Sequence, residues 1–90
     1  MQFVNVGFGN LVNADRILSV VTPDAAPVKR MVSRAKEAGT AVDATQGRRT
    51  KAVLVLDNGM LLLSALQPET IRKRAQAGVL TAEDREEEHE

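Results

Sequence analysis

The chain contains no cysteine, tryptophan or tyrosine, and only Phe3 and Phe8 of its 90 residues are aromatic. Without cysteine no disulfide can staple so short a domain. With His89 as the single histidine, the sulfur and imidazole ligands of a structural zinc site are also missing. Val, Leu, Ile, Met and Ala must fill the core, and they supply less buried area per residue than rings do. So thin a core makes self-association the remaining source of stability, and a homo-oligomer is expected. No apolar run approaches the roughly 20 residues of a membrane span. The opening residues MQFVNVGFGN carry neither a basic stretch nor a signal-like apolar segment, so the expected compartment is the cytoplasm.

Groups for catalysis are also scarce. Ser19, Ser33 and Ser64 have no histidine within the folded body to activate them, and the acids of that body are scattered as caps, turn residues and surface charges. The expectation is a protein without enzymatic activity, cofactor, metal or small-molecule substrate. Phosphate-binding loops fare no better. Gly7-Phe8-Gly9-Asn10 lacks the third glycine and the following helix of a dinucleotide fingerprint, so it reads as a tight strand connection.

Charge is present but segregated. The formal net charge is zero, yet residues 83–90 hold six of the twelve acids, leaving residues 1–82 at +5. A basic body implies a polyanionic partner, and an acidic tail implies solubility or competition for the same surface. The domain is expected over 1–78, with 79–90 as an acidic, disordered tail.

Hydrophobic periodicity predicts two strands within residues 3–21, joined around Gly7 to Asn13. A helix follows over about 25–38, with Asp24 as N-cap, Pro27 in the first turn and Gly39 ending it. Its apolar side holds Val28, Met31, Val32, Ala35 and Ala38; Lys29, Arg30, Arg34 and Lys36 occupy the rest. Ala41–Thr45 reads as a short strand and 46–49 as a turn. Lys51–Leu56 and Met60–Leu66 then form a hairpin around Asn58-Gly59, the sequence signature of a type I′ turn. Pro68 opens a second helix that stops near Gly78, with Arg72, Lys73 and Arg74 complementing its negative end. The predicted class is α+β, a single small β-β-α-β-β-β-α domain.

Gln46-Gly47-Arg48-Arg49-Thr50-Lys51 is the stretch that a merely solvated surface explains least well. Three cations within four residues repel one another and add little to folding, so an anionic ligand explains their concentration better. Gly47 permits a sharp turn, and each guanidinium offers a planar fork for phosphate oxygens. Lys29, Arg30 and Arg34 are secondary candidates, read first as a solvated helix face.

Taken together, N-V-G-F-G-N at 5–10, A-P-V-K-R at 26–30, D-A-T-Q-G-R-R-T at 43–50 and S-A-L-Q-P-E-T at 64–70 resemble the RemA family of bacterial regulators of extracellular-matrix and biofilm genes. The resemblance covers about residues 3–75. It implies a DNA-binding transcriptional activator whose subunits close into an octameric ring that presents repeated arginines to bent duplex DNA. By position, the family's DNA-contacting arginines fall on Arg16, Arg48 and Arg49. Arg16 is promoted by the resemblance alone, and Asp15 is the acid placed beside it in sequence. The rival reading is a structural or scaffolding assembly protein whose basic turn binds an acidic protein.

Overall fold

The computed structural model describes residues 2–77, so the expected helix stop at Gly78 and the acidic segment 79–90 lie outside the described residues. The elements run β1 (Phe3–Asn5), β2 (Leu11–Asn13), a 3-10 turn (Ala14–Arg16), β3 (Ile17–Val21), α1 (Ala26–Ala38), β4 (Ala41–Asp43), β5 (Ala52–Leu56), β6 (Leu61–Ser64) and α2 (Pro68–Ala77). The α+β class is as expected, but residues 3–21 hold three strands where two are predicted. The Asn13 side-chain oxygen accepts the Asp15 N–H at 3.0 Å and caps the 3-10 turn, which breaks the run in two. Leu11–Asn13 therefore pairs with β1 in a two-stranded ribbon, and Ile17–Val21 leaves for a separate sheet.

That sheet has the order β3-β5-β6-β4, antiparallel except for the β6 and β4 pair. Helix α1 carries the chain from one edge strand to the other. On one face Val53, Leu61 and Leu63 pack with Ala35, Val28, Met31 and Val32 of α1. On the other, Ala52, Leu54 and Leu62 pack with Val4, Val6, Leu66 and the α2 residue Ile71. Burial of both faces is why β5 and β6 read as unbroken apolar runs, AVLVL and LLLS, rather than as alternating strands. Each large side chain so buried contributes about 1.5–3 kcal/mol.

Two local expectations are corrected. Asp24 does not cap α1; the N-cap is Ala25, with no side-chain bond, and the Pro27 ring fixes the first turn instead. The β5–β6 hairpin forms as expected, but its loop is not type I′. Asp57, Asn58 and Gly59 make a three-residue loop in which Gly59 N–H donates to Leu56 O and Leu56 N–H to Met60 O, both at 3.0 Å. Gly59, at φ 87°, takes the left-handed position alone, while the Asn58 side chain accepts the Met60 N–H at 3.0 Å. The end of α1 is as predicted: Gly39, at φ 75°, donates to the carbonyls of Ala35 and Lys36.

Candidate nucleic-acid interface

The basic turn is anchored from both sides. Asp43 Oδ1 accepts the Thr45 N–H at 2.9 Å and the Thr45 hydroxyl at 2.6 Å. These bonds, the hydroxyl's first, hold the Asp43 carboxyl below the usual carboxylate range, with a smaller contribution from the charge of Lys36. Thr45 is buried, and its carbonyl accepts the Arg48 N–H at 3.0 Å. Between them Gln46 and Gly47 have φ of 51° and 81°, the paired positive values of a primed type I turn. The geometry sought at Asn58-Gly59 is therefore found here. Beyond the turn, Lys51 N–H donates to Ser64 O at 2.8 Å and ties the chain to β6. Arg48 and Arg49 are exposed, and Lys51 is half-buried.

The turn faces a second one of the same kind. At Gly7–Asn10 the Asn10 N–H donates to Gly7 O at 3.0 Å across Phe8 and Gly9, whose φ are 55° and 76°. Gly7, at φ 111°, occupies a region closed to other residues, and its Cα side lies against Leu66. Ser64 links the two neighbourhoods: its hydroxyl donates to Val6 O at 2.7 Å and accepts the Leu66 N–H at 3.0 Å. Between the turns lies a cavity of about 360 Å³ lined by Phe8 of one turn, by Arg48, Arg49 and Lys51 in and after the other, and by Ala65 and Leu66. Gln67 and Thr70, at the start of α2, complete its lining.

The remaining candidates are distributed unequally. Lys29 shares a hollow of about 350 Å³ with Lys36 and Thr50, so it flanks the basic turn, whereas Arg30 and Arg34 are exposed and line neither hollow. Lys36 is the second cation of the Lys29 hollow. Its i+7 spacing from Lys29 was the available signal.

Arg16 lies at the other end of β5. Its carbonyl accepts the Asp57 N–H at 2.9 Å, and its guanidinium pairs with the Asp57 carboxylate at 3.0 Å. The acid that engages it is thus Asp57 of the hairpin loop, not its sequence neighbour Asp15. Strand β5 lies between the two cationic ends, and at roughly 3.3 Å per residue its five residues alone span about 16 Å. A single chain does not bring Arg16 together with Arg48 and Arg49.

Two basic residues of α2 are occupied elsewhere. Arg74 is buried and donates to Asn5 O at 2.7 Å, a structural role invisible in the sequence because its partner is 69 positions away. Arg72 is engaged on the helix surface by Glu69, and by Gln76 at 3.0 Å. The Arg72 contact holds the Glu69 carboxyl below its ordinary range. Among the described residues no group of His, Cys, Asp and Glu is gathered to hold a metal ion, and no helix is long and apolar enough to cross a membrane.

Residues 3–75 match the sequence pattern of the RemA-like family, described as extracellular matrix regulatory protein A-like. The chain belongs to the RemA-like family. Among its relatives, a protein of Lachnoclostridium phytofermentans is 59% identical over 73 residues, which is 81% of this chain and 80% of the relative. One from Dictyoglomus thermophilum is 52% identical over 88 residues, covering 98% of each chain. One from Carboxydothermus hydrogenoformans is 51% identical over 74 residues, covering 82% of this chain and 85% of the relative. All three bear names that propose a regulatory role. The RemA-like match runs from β1 into α2, and so includes both left-handed turns, Arg16, and Arg48 to Lys51.

Proposed function

We propose that this RemA-like chain is a non-enzymatic DNA-binding transcriptional regulator of the activator type, which grips the phosphate backbone of curved duplex DNA as a homo-oligomeric, octameric ring. The observation that carries the reading is the anchored turn: Arg48 and Arg49 are exposed on a turn pinned by Asp43 and Thr45, with Lys51 behind them. A fixed turn presents its guanidiniums without the entropic cost of ordering a loose loop, and like charges held together favour an anion over folding. Lys29 supplies a flanking cation, and Arg16 of a neighbouring copy supplies the second cationic end. Family membership and the relatives' names support a regulatory role.

Assembly is supported by the sheet edges. Leu18 on edge strand β3 is 69% exposed and Val42 on the opposite edge β4 is 43% exposed. These are unlike surfaces on opposite sides of one sheet, which suits head-to-tail contacts that close into a ring rather than a two-fold dimer. A repeated weak contact then gives strong, salt-sensitive binding, and selectivity comes from DNA curvature more than base edges.

The test is a gel-shift titration on A-tract-rich and unrelated duplexes at two salt concentrations. Wild-type binding is expected to weaken with salt at a slope near −0.9 per phosphate contacted. In Arg48→Ala and Arg49→Ala the slope should flatten by roughly one unit for each phosphate no longer neutralised, while folding stability shifts by less than about 0.5 kcal/mol. An unchanged slope in both assembled variants refutes the assignment. Binding to an acidic protein but not to duplex would favour the scaffolding alternative.

A further inference from the structure

We infer that the cavity between the Gly7–Asn10 and Thr45–Arg48 turns binds a small phosphorylated ligand of mononucleotide size, which competes with duplex DNA for Arg48 and Arg49. The cavity shares Arg48, Arg49 and Lys51 with the proposed duplex contact but adds residues that contact does not use, Phe8, Ala65, Leu66, Gln67 and Thr70. About 360 Å³ lies within the range of small-ligand sites and is concave, whereas a duplex backbone passes over a surface. The cavity lining is mixed in chemistry. Arg48, Arg49 and Lys51 offer donors for an oxyanion; Phe8, Ala65 and Leu66 offer an apolar wall with one aromatic face; Gln67 and Thr70 offer an amide and a hydroxyl. A phosphate group alone would match only the cationic part of this lining, and an apolar molecule only Phe8, Ala65 and Leu66. A ligand joining a planar ring to a phosphate meets both.

The backbone supplies an independent reason. Among the described residues Phe8 and Gln46 are the only non-glycine residues at positive φ, at 55° and 51°. An L side chain is strained there, and such strain gathers at ligand clamps and switches. Phe8 lines the cavity itself, and Gln46 lies two positions before its lining residue Arg48, within the turn that presents it. Phe8 is also half the aromatic content of the chain, set at a cavity rim rather than in either core cluster.

Ligand binding itself does not depend on the proposed duplex contact; only the competition rests on that reading. The experiment uses the full-length assembled protein and three probes: a fluorescent adenosine 5′-monophosphate analogue followed by anisotropy, inorganic phosphate as competitor, and a labelled duplex. The nucleotide is expected to bind saturably and to weaken duplex binding, with inorganic phosphate needing at least about tenfold higher concentration to displace it. Phe8→Asn keeps a residue tolerant of the left-handed turn and removes the ring. It should weaken nucleotide binding by about tenfold or more and duplex binding by less than about twofold, with assembled mass unchanged. Thr70→Val provides a second variant, expected to lower nucleotide affinity alone, should Phe8→Asn not fold. Absence of nucleotide binding at millimolar concentration overturns the inference and leaves a positive duplex result standing. Displacement by phosphate at equal concentration also overturns it, as does equal loss of duplex and nucleotide binding in Phe8→Asn. Nucleotide binding without duplex binding supports the cavity and removes the proposed function instead.

Discussion

Residues that look alike in sequence play different parts here. Arg16 stands alone in its stretch and Arg74 ends the Arg72-Lys73-Arg74 run, yet the lone arginine is exposed against Asp57 and the clustered one is buried on the Asn5 carbonyl. The Arg16–Asp57 pair is too exposed to contribute more than about 1 kcal/mol to stability, so its importance lies in occupying the guanidinium. Asp57→Asn is expected to tighten duplex binding and steepen its salt dependence by up to about one phosphate contact, an effect abolished when Arg16→Ala is added. An unchanged affinity in Asp57→Asn, measured by the same gel shifts, would remove Arg16 from the interface. Arg74 makes the contrary prediction. Arg74→Ala leaves a buried carbonyl without its charged donor and is expected to cost about 2 kcal/mol. For a domain of this size that lowers the melting temperature by roughly 8–16 °C, readable by calorimetry, with little change in the salt dependence of duplex binding.

Turns decide the fit between sequence and structure at the next scale. The α1 terminus at Gly39, the β5–β6 pairing and the Pro68 start of α2 were legible because glycine, proline and unbroken apolar runs act within a few residues. The division of 11–21 was not, since it depends on one Asn13 side chain capping a 3-10 turn inside a run that reads as strand. In the site, the clustered cations at 48–51 were legible, but not their pinning by Asp43, although an Asp followed two positions later by Thr was a local signal for it. The convergence of that turn with Phe8 arises only through tertiary contacts such as that from Ser64 to Val6. Acid should expose the role of Asp43. Its folded pKa is depressed, so its stabilisation is complete above the ordinary carboxylate range and is lost as pH falls below about 4. The expected result is faster amide exchange at Thr45 and Arg48 at low pH, with Asp43→Asn already fast at neutral pH. Equal exchange in both proteins across the range would show that the carboxylate does not hold the turn.

At the scale of the whole molecule, both faces of the four-stranded sheet are already covered, so its edges are the parts left open. The β3 edge carries a register shift between Ile17 and Ser19, a bulge that disfavours continuous strand pairing and leaves Leu18 as its exposed apolar feature. Contacts between copies would then be made by side chains more than by a shared ladder. Leu18→Glu alone is expected to shift the assembled mass to smaller species, read by sedimentation, without unfolding the chain. Its mixture with wild-type protein carries a further consequence. Where two unlike edges must meet, a chain spoiled at one edge still joins through the other and ends the series behind it. A minority of such chains should poison a disproportionate share of assemblies, and an altered gene copy would then act dominantly over an intact one.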